Sequence, residues 1–112
     1  MVVNFKPLVK LIRETNLTYK QLEDWDHTFF GLIAEVGEYS AIWQKQNRGD
    51  RKYLDFKVWK PAMRKELGDI LYYWCAHVMA SGESPEEIFE ELKNKLESRK
   101  IRGKIKGDGD NR

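Results

Sequence analysis

Glu35-Val36-Gly37-Glu38 and Glu66-Leu67-Gly68-Asp69 are the stretches of this chain whose residue types and spacing can do chemistry. Each is acid-x-x-acid, with a glycine between the acids and apolar sequence around them. Residues three apart on a helix are neighbours. Each pair therefore projects from one patch, beside an apolar stripe rather than opposite it. Like charges at that spacing repel, and a carboxylate near a core is costly unless something compensates it. If two such helices pack antiparallel, four carboxylates converge, and four negative charges in one place need a cation. Oxygen-only ligation suits Mg²⁺, or Mn²⁺ as a substitute, and not zinc. The bland counterpart is a solvated helix face, which is how Glu83, Glu86, Glu87, Glu90 and Glu91 read. Two pairs beside glycines, on successive apolar helices, are a different pattern.

The spacing predicts four helices to position these acids. The first covers about Asn4–Thr15, with Leu8, Val9, Leu11 and Ile12 at helical spacing and Pro7 in the first turn. Asn16–Asp24 is a connection. The second covers about His27–Lys45, with Asp26 as N-cap and Phe29, Leu32, Ile33, Val36 and Trp43 on one face. Gly31 and Gly37 inside it each cost about 1 kcal/mol against Ala, which implies close packing or room beside the helix. Asn47-Arg48-Gly49-Asp50 is a turn signal, and the stretch to Trp59 suits an ordered loop or a short helix. The third covers about Ala62–Ala80, just after Pro61, with Leu67, Ile70, Leu71, Trp74 and Val78 as its stripe and Gly82 to close it. The fourth opens at Ser84-Pro85-Glu86-Glu87, a cap, a first-position proline and a Glu three residues on, and runs to about Lys100. Gly103, Gly107 and Gly109 oppose continuation. An all-α bundle follows.

A chain of 112 residues holds one domain, and 41% hydrophobic with 34% charged residues is a globular composition. No apolar stretch nears the roughly 20 residues that span a bilayer. Lys6, Lys10 and Arg13 interrupt the N-terminal apolar residues, so these do not form a signal peptide. One cysteine, Cys75, excludes an internal disulfide and a multi-Cys zinc site. It reads as a small buried hydrophobe, and the expected setting is reducing and cytoplasmic. The net charge of +2 hides an asymmetry: Arg99–Arg112 carries six basic and two acidic residues, and the rest is slightly acidic. A basic tail on an acidic body suits a phosphate-bearing partner.

Gly31–Glu38 followed by Lys65–Leu71 resembles the MazG-like nucleotide pyrophosphohydrolases, all-α enzymes marked by E-x-x-E, a spacer and E-x-x-D. The spacer here is the 27 residues Tyr39–Lys65, and all four acidic positions are filled. The resemblance extends through the C-terminal residues and covers about 27–112. It implies a single MazG-like domain over 1–112, four-helix bundle-like and oligomeric, with 101–112 a basic, Gly-rich tail. It implies Mg²⁺ held by Glu35, Glu38, Glu66 and Asp69. Water then attacks the α-phosphorus of a nucleoside triphosphate, and Glu35 or Glu38 orients or deprotonates that water.

Basic side chains must hold the outgoing pyrophosphate. The candidates are Lys65, Lys95, Arg99 and Arg102, with Lys104 and Arg112 behind them, each otherwise a solubilising charge. Tyr73, one turn beyond Asp69, is the best base-stacking candidate by the same resemblance. Trp25, Trp43 and Trp59 are further aromatic candidates, whose default is packing. The resemblance also makes His27, eight residues before Glu35, a candidate for contacting the base or sugar, otherwise a helix-start histidine, while His77 reads as a satisfied core or interface residue. Relatives are dimers or dimers of dimers with shared active sites. A homodimer or homotetramer acting on nucleotide pools is therefore expected, with no membrane and no stable nucleic-acid partner. Two other classes remain: a helical nucleotide- or nucleic-acid-binding oligomer without catalysis, and a structural oligomer with solvent-facing acids. Neither gains from crowding carboxylates.

Overall fold

Five helices follow one another through the residues the computed structural model describes, 3–15 and 25–103, with no strand among them. They are α1 (Lys6–Thr15), α2 (Trp25–Asn47), α3 (Arg51–Leu54), α4 (Phe56–Ala80) and α5 (Pro85–Arg102). The all-α class expected from periodicity is the class observed. The connection at 16–24 and the tail from 104 onward, Lys104 and Arg112 included, lie outside the described residues.

Side-chain chemistry sets the helix ends. Asn4 Oδ1 accepts the Lys6 N–H at 3.0 Å, and Pro7 follows where an N–H would have no helical partner. At α5, Ser84 Oγ accepts the Glu87 N–H at 3.4 Å, with Pro85 first in the helix. The Glu86 carboxylate takes the Ser84 hydroxyl at 3.1 Å and the Phe5 N–H at 3.0 Å, tying the N-terminal segment to the start of α5. Gly103 ends α5 at φ 68°, a left-handed conformation without steric penalty for glycine. Ser84→Ala is expected to lower stability by about 1 kcal/mol, read as a lower urea midpoint. Ser40→Ala on the exposed face of α2 should barely move it.

Two expected helix starts shift, and the short helix allowed for in the 47–59 stretch is present as α3. α4 begins at Phe56 rather than Ala62, because Asp55 Oδ1 caps it by accepting the Lys57 N–H at 2.9 Å. Pro61 falls inside the helix at the end of its second turn, so the helix continues with one backbone hydrogen bond fewer. α3 fills part of the 47–59 stretch. Asp26, expected as a cap, lies within the first turn of α2, where a negative charge still favours the helix dipole.

The core also differs from the expected one. Ile12, Cys75 and Ala76 are fully buried, with Leu8, Val9, Tyr72, Trp74 and Met79 packed around them, so the core joins α1 to the second half of α4. Much of the expected stripe of α2 stays outside: Phe29, Ile33 and Val36 are about half exposed, as are Leu67 and Leu71 on α4, while Leu32 is partly buried and Trp43 meets Trp59 of α4. The reason is the way α2 meets α4. Trp25 Nε1 donates to the Ala80 carbonyl, and Thr28 Oγ1 lies 3.0 Å from His77 Nδ1. Gly31 faces the Tyr73 ring, and Trp43 meets Trp59 edge-on with centroids 5.0 Å apart. Numbers rise on α2 as they fall on α4, so the two helices are antiparallel. α2 thus turns Thr28, Gly31, Glu35, Glu38 and Ile42 toward α4. Those steps of alternately three and four residues are the spacing of a helix–helix seam. The apolar stripe is rotated off that seam.

Candidate active site

Both acid pairs sit midway along the seam, where a simpler helix pair would carry leucines. Glu35 and Glu38 come from α2 and Glu66 from α4, and one oxygen of each lies within 4.8 Å of the other two. Asp69, one turn beyond Glu66, adds its charge against Glu35. Glu38 is exposed, while Glu35, Glu66 and Asp69 are partly buried. Glu35 Oε2 and Glu66 Oε2 are themselves buried and have no hydrogen-bond partner among the described residues. An unsatisfied buried acceptor is destabilising, more so when charged. The Glu35 carboxyl is accordingly pushed up to about 7, first by burial, then by the charges of Glu38 and Asp69 and by its carboxyl neighbours. An all-oxygen set of converging carboxylates with orphaned lone pairs fits a hard divalent cation such as Mg²⁺ or Mn²⁺.

The sign of the pH dependence follows. Between about 4.5 and 7 the folded chain holds a proton on Glu35 that the unfolded chain has released. Stability therefore falls as pH rises through that window and levels off above it. A cation competes with that proton, so its affinity rises over the same window. Melting scans without metal should show a declining Tm from about pH 5 to about pH 7.5. Added Mn²⁺ should raise Tm more at the upper end of that range than at the lower. Equal shifts at both ends would mean that the cation binds elsewhere.

The other sequence-predicted residues distribute unevenly around the acids. Lys65 lines a cavity together with Glu38 and Glu66. Tyr73 lies against Gly31, with its ring where a Cβ would stand, one turn from Glu35 on one helix and from Asp69 on the other. Lys95, Arg99 and Arg102 belong to α5, which packs on α4 and makes no helix contact with α2. Arg99 is buried, and Arg102 Nε turns back to Ser98 Oγ at 3.1 Å. Trp25 stands ten residues from Glu35, about 15 Å along the helix, with its indole N–H on the Ala80 carbonyl. His27 is partly buried eight residues before Glu35, about 12 Å along the same axis. His77 is engaged by Thr28 and by Phe29, whose ring is 5.7 Å away. Trp43 and Trp59 pack with Tyr39 and Phe56 at the other end of the seam. Cys75 is fully buried, and burial followed by the Glu86 charge pushes its thiol up, which suits an inert residue.

Residues 26–102, more than half of the chain, match the MazG nucleotide pyrophosphohydrolase domain. The chain belongs to this family. The Gene 37 protein of Mycobacterium phage L5 is 31% identical over 91 residues, which cover 81% of this chain and 79% of that protein. No solved structure matches. No helix among the described residues is long and apolar enough to cross a membrane.

Within this MazG domain the structure adds two residues that sequence reasoning missed. Lys45 and Tyr53 line the same cavity as Glu38, Lys65 and Glu66, a space of about 340 Å³. Lys45 is seven residues after Glu38, hence two turns along the same face, and that spacing was a usable signal. Tyr53 reaches the cavity from α3, and nothing in its sequence surroundings marked it. A larger cavity of about 1070 Å³ lies away from the acids. There Lys6, Lys10 and Arg13 of α1 face Glu83, Glu86 and Glu87.

Proposed function

We propose that this MazG-family chain is a Mg²⁺-dependent pyrophosphohydrolase that converts a nucleoside or deoxynucleoside triphosphate to its monophosphate and pyrophosphate. The observation that carries the reading is the convergence of Glu35, Glu38 and Glu66 on the α2–α4 seam, with one buried, unsatisfied oxygen each on Glu35 and Glu66. Glu35, Glu38, Glu66 and Asp69 would hold the metal. When bound, the metal neutralises triphosphate charge and polarises the bond to be broken. Glu35 or Glu38 accepts the proton of the attacking water. The water oxygen bonds to the α-phosphorus as the bond to the bridging oxygen breaks, and pyrophosphate leaves. Lys65 flanks Glu66 and offers charge to the phosphates. Tyr73, fixed against Gly31, offers a ring face for the base, a short distance from the acids.

The chain works as a homodimer or a dimer of dimers in this reading. The apolar stripe left outside the core, with Phe29, Ile33 and Val36 on α2 and Leu67 and Leu71 on α4, supports it. Large apolar residues left exposed in a group are a mark of an interaction surface. A second copy could also bring Lys95, Arg99 or Arg102 to the acids. A reducing, cytoplasmic setting and a role in cleaning nucleotide pools complete the proposal.

The test is product analysis. The protein is incubated with the canonical NTPs and dNTPs plus dUTP, with Mg²⁺, with Mn²⁺ and with EDTA. Monophosphate and pyrophosphate in equal amounts, lost with EDTA, are expected. Folded protein that binds nucleotide without hydrolysing any of them would move the reading to a binding module.

A further inference from the structure

The seam is chemically lopsided about its acids. On one side lies the small cavity, at the low end of the roughly 300–1,000 Å³ typical of ligand sites. Its wall carries Lys45 and Lys65 beyond the acids Glu38 and Glu66 at its edge, with the small Ala41 and Ala62 between them. Neither lysine is in an ion pair among the described residues. Asp50, the acid that feels the Lys45 charge, already has both oxygens on the Arg48 guanidinium, at 2.9 and 2.8 Å. Lys45 Nζ instead stands 5.6 Å from the centre of the Tyr53 ring, within the range of a cation–π contact. That contact orients the ammonium without neutralising it. On the other side of the acids, the seam holds Gly31 and the Tyr73 ring.

We infer from this asymmetry, resting on the proposed hydrolysis, that the substrate has one polarity along the seam. Its two terminal phosphates occupy the cavity between Lys45 and Lys65. Its nucleoside lies toward Tyr73, and the α-phosphorus lies at the acids between them. Lys45 is a binding residue for the departing pyrophosphate. Tyr53 is a positioning residue that holds Lys45, and α3 is thereby one wall of the site. With a divalent cation offsetting Glu38 and Glu66, which line the same cavity, anionic groups would favour the end that adds Lys45 and Lys65, and a planar base favours the ring end.

The experiment measures equilibrium binding of inorganic pyrophosphate and of a nucleoside monophosphate, each with Mg²⁺, by calorimetry. Wild type, Lys45→Met, Lys45→Arg and Tyr53→Leu are compared, together with KM and kcat on the best triphosphate. Expected for Lys45→Met are a pyrophosphate affinity at least about tenfold lower, as for loss of one charge-assisted contact, a raised KM, and unchanged monophosphate affinity. Lys45→Arg should restore most of the pyrophosphate affinity. Tyr53→Leu should weaken pyrophosphate binding less than Lys45→Met, and leave the monophosphate unaffected. Far-ultraviolet circular dichroism and Tm establish that each variant is folded. Unchanged pyrophosphate affinity in folded Lys45→Met, or a loss confined to the monophosphate, would overturn the orientation. Failure of the wild type to hydrolyse any triphosphate would instead sink the proposed reaction. Pyrophosphate binding still reads the cavity in that case.

Discussion

Glu35→Gln should abolish hydrolysis and yet give a metal-free protein more stable than wild type above about pH 7. The two effects share one origin. In mildly alkaline solution the folded chain keeps Glu35 ionised although burial, Glu38 and Asp69 all oppose that charge and hold the carboxyl near 7. Glutamine has nearly the same shape without the charge, and its amide can donate to the neighbouring carboxylates. The gain is on the order of 1 kcal/mol once solvent screening of a partly exposed site is allowed for. Below about pH 4.5 the Glu35 carboxyl is protonated in both states, and the advantage disappears. Activity should move the other way by at least about 10²–10³-fold, the usual effect of removing a group that stabilises transition-state charge. Thermal melts from about pH 4 to about pH 8 with EDTA, set beside pyrophosphate release with Mg²⁺, check both halves. Wild-type turnover by the variant, or an unchanged dependence of Tm on pH, would remove Glu35 from the metal set.

The acids were legible because their types and spacing carry the information alone. Acid-x-x-acid puts two carboxylates on one helical patch wherever the helix packs, and antiparallel packing of neighbouring helices is the common outcome of a connection of this length. What periodicity did not supply was the rotation of α2. Apolar residues at 29, 32, 33, 36 and 43 predicted the buried face, whereas the seam at 28, 31, 35, 38 and 42 is what meets α4, with Trp43 of that face beside it on Trp59. A hydrophobic stripe marks a face that avoids water, and its period is the same whether the chain's own core or another copy covers it. The start of α4 falls earlier than expected for a local reason. Pro61 reads as a break just before the helix, whereas Asp55, which in fact caps it, has no proline or capping-box acid after it to mark it as a start. Tyr53 came into view only through the cavity it lines.

Gly31→Ala should lower the melting temperature by several degrees, against the general preference of helices for alanine. At an exposed mid-helix position the exchange is worth up to about 1 kcal/mol in favour of Ala. At Gly31 the added methyl would fall on the body of the Tyr73 ring, overlapping Cδ1 and Cε1 and standing 2.9 Å from Cζ. A ring edge cannot fold away as a flexible chain end can, so α2 and α4 must part or Tyr73 must change rotamer. Overpacking of this kind typically costs about 1–3 kcal/mol, which outweighs the propensity gain, at roughly 4–8 °C per kcal/mol for a domain near this size. Gly37 is the control, because a Cβ there meets nothing within 4 Å, and Gly37→Ala should stabilise the chain. The sign at Gly31 should also reverse once the ring is gone: in a Tyr73→Ala background, Gly31→Ala becomes stabilising. Such coupling in a double-mutant cycle is the signature of direct contact. Equal Tm gains for Gly31→Ala and Gly37→Ala would mean that the ring does not occupy the notch. If the ring does occupy it, Gly31 fixes the side chain that the proposed substrate orientation places against the base. Displacing Tyr73 should then raise KM more than it lowers kcat, since the acids one turn away stay where they are.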